Sequence, residues 1–93
     1  MQTLTENQNF AVYHEFETVF IKKKSNNSTI TIDSFYGDPT CSFIDSKHNQ
    51  IIIGGNQLIV WDIGKQKEIK LEKINNTHSI KKVDTNSIQV LTD

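Results

Sequence analysis

Turn-forming residues interrupt this chain at roughly every eight to twelve positions, and β-branched and aromatic side chains crowd the stretches between them. That rhythm leaves little room for helices and predicts an all-β fold built from short antiparallel strands. No ten-residue window carries a clean helical period. Lys65–Ile74 comes nearest, and Ile69, Leu71 and Ile74 fit it badly. The expectation is about eight strands in a meander-rich sandwich or partly open barrel, with little or no helix. Residues 1–9 are expected as a flexible N-terminal segment and 10–93 as a single all-β domain.

Phe10 to Lys23 alternates throughout and reads as one long strand. Val12, His14, Phe16, Thr18 and Phe20 share one face; Tyr13, Glu15, Glu17, Val19 and Ile21 share the other. A turn at Ser25-Asn26-Asn27-Ser28 leads into a strand over Thr29–Tyr36. Centring that turn on Asn26-Asn27 sets Ile21 opposite Ile32, Phe20 opposite Asp33, Val19 opposite Ser34 and Glu17 opposite Tyr36. Both faces then come out mixed, as in a strand that changes partners halfway or bulges near Glu15–Thr18.

Beyond a turn at Gly37-Asp38-Pro39, four short strands are predicted: Cys41–Asp45, Gln50–Gly54, Gln57–Ile63 and Lys67–Ile74. A two-residue Gly55-Asn56 turn pairs Ile53 with Leu58, Ile52 with Ile59 and Ile51 with Val60. Those two strands are apolar on both faces and should be central and covered on both sides. Lys67–Ile74 alternates Ile69 and Leu71 with Glu68, Lys70 and Glu72, which suits the periphery. After a turn at Asn75–His78, a hairpin joins Ser79–Asp84 to Ser87–Thr92, with a bulge near Ile80–Val83.

Charge narrows the functional classes. All ten basic residues are lysine and the net charge is −1. Nucleic-acid readers favour the planar fork of arginine and a basic surface, so a nucleic-acid partner is not expected. Lys22-Lys23-Lys24 and Lys81-Lys82 read as solubilising strand ends. No apolar run exceeds four residues, far short of the roughly 20 that a membrane helix needs. Met1 to Phe10 is polar and unlike a secretory leader, and Cys41 is the sole cysteine. A cytoplasmic location is expected.

No motif for catalysis stands out. His14 lies within a strand; His48 and His78 lie in predicted turns, and no pair has common metal-ligand spacing. No metal or cofactor is expected. Cys41 reads as a small core residue at a strand start. Gly54-Gly55 is followed by a strand and lacks the Gly-Lys-Ser/Thr of a phosphate loop. Glu15 and Glu17 on one strand face read as a solvated stripe or a binding surface.

Thr40 to Gly64, TCSFIDSKHNQIIIGGNQLIVWDIG, resembles one blade of a WD-repeat propeller. A strand holding Phe43, a turn at Ser46–Asn49, an isoleucine run ending in Gly54-Gly55 and Leu58-Ile59-Val60-Trp61-Asp62 fall in blade order. The resemblance implies a four-stranded meander, with Trp61 packing against a neighbouring layer and Asp62 fixing the turn that follows. The upstream Gly-His pair of the family is absent, and the chain is too short for the four blades a closed propeller requires. As a whole the chain is similar to the small immunity proteins of bacterial contact-dependent toxin systems, in size, in its lysine-, asparagine- and isoleucine-rich composition and in lacking enzyme motifs. That resemblance implies a non-enzymatic, protein-binding antitoxin that occludes the active site of a toxin domain, such as a cationic nuclease, and is a monomer or dimer when free. Glu15, Glu17, Asp33 and Tyr36 are the residues expected to face that partner. A structural subunit that self-associates through meander edges, or a small enzyme with an unrecognised site, are the alternatives.

Overall fold

A computed structural model describes residues 2–33, 37–71, 77–82 and 88–92. Among these, ten strands lie in chain order: β1 Gln2–Glu6, β2 Phe10–Glu15, β3 Thr18–Lys23, β4 Ser28–Ile32, β5 Cys41–Asp45, β6 Gln50–Gly54, β7 Leu58–Asp62, β8 Lys67–Leu71, β9 Thr77–Lys82 and β10 Ile88–Thr92. No helix occurs among the described residues. β1-β2-β3-β4 and β5-β6-β7-β8 are two antiparallel meander sheets, and β9 and β10 form a separate hairpin.

The two four-stranded sheets make a sandwich. Alternation aims Val12, Val19, Ile21 and Ile32 of the first sheet at Ile51, Ile53, Ile59 and Trp61 of the second, and all eight are buried in one cluster. The β1 edge lies beside β5, where the Thr5 hydroxyl donates to the Ser42 carbonyl at 2.8 Å. Ile52 and Leu58 project from the opposite face of β6 and β7 and are buried as well, while β9 lies against β5 and β6. β6 is therefore central and covered on both sides, as its uniform apolarity predicts, while β7 is central but leaves Val60 on its outer face half-buried.

Three expectations are corrected. First, Phe10–Lys23 is two strands: Glu15 pairs with Thr18, and the chain reverses at Phe16-Glu17. Second, residues 2–6, expected to be flexible, pair with β2 through a bulge at Leu4 that packs that side chain on the core. Third, both predicted registers shift. Ile21 pairs with Ile30 and Val19 with Ile32, because the loop is Lys24–Asn27 with its left-handed residue, Asn27, last. Ile53 pairs with Ile59, because Gly55-Asn56-Gln57 is a three-residue loop. A one-residue slip there would have turned one strand's core face outward.

The blade-like stretch is a four-stranded meander that extends to Leu71. Trp61 faces the first sheet, and the Asp62 carboxylate accepts the Lys65 amide at 3.0 Å, fixing the β7–β8 turn. His78 lies within β9 instead of a turn, and the irregularity of the last hairpin falls at Leu91/Thr92. The predicted bulge reached Val83, which lies outside the described residues, as do Ser34 and Tyr36.

Candidate functional site

The meander order sorts the turns to the two ends of the sandwich, and charge sorts with them. The β1–β2, β3–β4, β5–β6 and β7–β8 turns share one end, where Lys23, Lys24, Lys47, Lys65 and Lys67 gather. The carboxylates there are engaged. Lys24 donates to Glu6, and that contact holds the Glu6 carboxyl below its ordinary value. Asp45 is buried and accepts the His48 amide at 3.2 Å and its ring Nδ1 at 2.8 Å. Burial pushes the Asp45 carboxyl up, but the His48 hydrogen bonds outweigh it and the group sits below its ordinary value.

The opposite end of the first sheet is acidic. Glu15 ends β2, Glu17 is in the two-residue turn, and Asp33 follows Ile32, the partner of Val19. All three are exposed, and every lysine of that sheet lies at the far end. Three of the four residues expected at a partner surface are thus brought together, although Glu17 sits in the turn and not on a shared strand face with Glu15. Tyr36 is outside the described residues.

Sequence inspection missed the residue between the two glutamates. Phe16 occupies the first turn position with φ 53° and is 77% exposed. Tight two-residue turns demand positive φ there and normally use glycine, asparagine or aspartate. A bulky L-residue in that conformation costs on the order of 1–2 kcal/mol. An exposed aromatic ring in a disfavoured backbone conformation is uncommon. The missed signal was parity: core-facing residues are even-numbered at Val12 and His14 but odd-numbered at Val19 and Ile21, which calls for a bulge or a reversal between them, and the structure has the reversal.

His14 anchors this turn from below. It is 8% exposed, and its Nδ1 lies 3.0 Å from the Phe16 carbonyl. A carbonyl only accepts, so Nδ1 carries a proton and donates it to Phe16. Gln2 pairs opposite His14. Gln2, His14, Glu15, Phe16 and Asp38 line a cleft of about 340 Å³. Asp38 arrives on a segment that runs close over the β6–β7 turn: a Cβ on Gly37, whose φ is +88°, would lie 2.5 Å from Asn56 Nδ2. The positive φ is what favours glycine there, since the Asn56 amide is the movable end of an exposed side chain.

Cys41 is half-buried; burial pushes its thiol up, and a protonated thiol is a poor nucleophile. Among the described residues no three His, Cys, Asp or Glu side chains are grouped to hold a metal ion. No protein-family model, curated protein or solved structure matches this chain.

Proposed function

We propose that this chain is a protein-binding module that neutralises a toxin domain by docking the acidic end of its first sheet over the toxin's active site. The observation that carries this reading is Phe16, an exposed aromatic held at a tight turn between Glu15 and Glu17, with Asp33 and Asp38 at the same end. An aromatic anchor inside a charged rim is how compact interfaces concentrate their binding energy. A one-signed rim steers a cationic partner such as a nuclease and fixes its orientation. The role asks no catalysis of this chain, and steric cover is sufficient.

Self-association has one observation in its favour: Ile69 on the edge strand β8 is 52% exposed. Lys67, Glu68 and Lys70 are exposed along that same strand, and charges at a sheet edge discourage strand addition. The docking role is therefore preferred.

Capture of the tagged chain from its native cell, washed at high salt, tests the proposal. One stoichiometric partner, silenced in the complex and lost with Phe16→Ala, supports it. Recovery of the chain's own copies alone overturns it in favour of self-assembly.

A further inference from the structure

We propose that two copies of this chain pair through the β8 edges of their second sheets, antiparallel and centred on Ile69. This contact uses the second sheet and is independent of the docking role, whose acidic end is on the first. β8 is an edge of the second sheet, paired with β7 alone among the described strands. Cross-strand pairing aligns Phe43, Ile52, Val60 and Ile69 in one row over the outer face of that sheet. β9 lies against β5 and β6, and the row opens as it leaves them: Ile52 is buried, Val60 is half-buried and Ile69 is 52% exposed. An apolar row that runs uncovered to a sheet edge is continued by the same row of a second copy.

Charge selects the second copy as the occupant. Lys67, Glu68 and Lys70 surround Ile69, and all are exposed. Against an arbitrary strand they discourage addition. Against β8 itself, run antiparallel, they match. Centring the pair on Ile69 sets Ile69 opposite its own copy, Lys67 opposite Leu71, and Glu68 opposite Lys70 of the second copy on each side of the two-fold axis. Opposite charges facing each other across two strands are stabilising, and like charges there are destabilising. Centring one residue away, on Glu68 or on Lys70, puts like charges face to face. Centring between residues turns the apolar row of one copy to the wrong side of the sheet. One register therefore satisfies both the apolar row and the charges. The contact is isologous, so it closes at two copies and leaves neither β8 edge open.

Sedimentation equilibrium of the purified whole chain, from micromolar to millimolar concentration, tests the pairing. Wild type should pass from monomer to dimer with no larger species. Glu68→Lys and Lys70→Glu each set like charges opposite one another at both sides of the axis, and each should weaken the dimer by at least about tenfold. Both side chains are exposed, and circular dichroism checks that each variant still folds. Mixed together, the two single variants should associate with each other as wild type does with itself, because every facing pair is then of opposite sign. The double variant Glu68→Lys/Lys70→Glu should regain self-association for the same reason. A wild type that stays monomeric throughout overturns the pairing. A dimer indifferent to both single substitutions overturns it too, as do single variants that neither mixing nor the double exchange rescues. Partner capture reads the first sheet, so none of these outcomes decides the docking role.

Discussion

The Nδ1–H of His14 donates to the carbonyl of Phe16 at 3.0 Å, joining a buried core position to the exposed turn two residues on. The bond ties the disfavoured backbone at Phe16 to the sheet. His14→Ala should therefore lose packing and free a turn carbonyl, destabilising the fold by about 2–3 kcal/mol. Urea denaturation measures the loss. Long-range ¹H–¹⁵N spectra of the wild type should show the proton on Nδ1, and an Nε2–H tautomer would contradict the hydrogen bond.

Phe16 itself separates stability from binding. Its ring is exposed, so Phe16→Ala should change stability by less than about 0.5 kcal/mol. Phe16→Gly removes the left-handed penalty and should raise stability by roughly 0.5–1 kcal/mol. Both variants should weaken partner capture by at least about 30-fold, as loss of an interface hot spot does. A stable variant that binds normally would remove Phe16 from the interface.

Asp45 makes a pH signature. Its folded pKa is depressed, so its contribution is fully present above the unfolded value of roughly 3.9 and is lost as pH falls through the lower folded value. Asp45→Asn should be less stable than wild type at neutral pH, and the gap should shrink below about pH 4. Denaturation series between pH 6 and 2 read this directly, and a gap that stays constant would show that Asp45 does not stabilise the turn through its charge.

Gln66 is an addressable weakness. It ends the β7–β8 loop at φ 54°, the position that Asn27 and Asn49 hold in the β3–β4 and β5–β6 loops. Asparagine tolerates this region better than glutamine. Gln66→Asn should raise stability by a few tenths of a kcal/mol, up to about 1 kcal/mol, seen as a higher thermal midpoint.

The Ser42 hydroxyl is buried with no hydrogen-bond partner among the described residues, on the face of β5 that pairs with Ile53. Ser42→Ala removes an unsatisfied polar group while leaving the backbone carbonyl that Thr5 bonds. It should be neutral or stabilising by up to about 1 kcal/mol. A marked loss in a urea titration would indicate a partner for that hydroxyl.

Fold class, the turns at Asn26-Asn27, Ser46–Asn49, Gly55-Asn56 and Gly64-Lys65, and the central place of β6 and β7 were determined by sequence alone, because turn chemistry and burial pattern are local properties. The uniform run Ile51-Ile52-Ile53 needs apolar cover on both faces, and both faces are buried. Glu15, Glu17 and Asp33 were grouped on a register that set Glu17 opposite Tyr36; in the structure it is the reversal at Phe16-Glu17 and the Val19–Ile32 pairing that put the three carboxylates at one end of the sheet. Register was not legible, since Asn26-Asn27 and Gly55-Asn56 can each centre more than one loop, and only packing against the other sheet selects among them. The reversal at Phe16-Glu17 was hidden because the switch of core parity across it is equally what a bulge in one long strand gives. Its glycine-like position is filled by an aromatic that no turn rule favours. The cleft belonged wholly to tertiary structure: β1, the β2–β3 turn and the segment over Asn56 meet only when the sheets stack, and no local pattern in the chain places Asp38 beside His14.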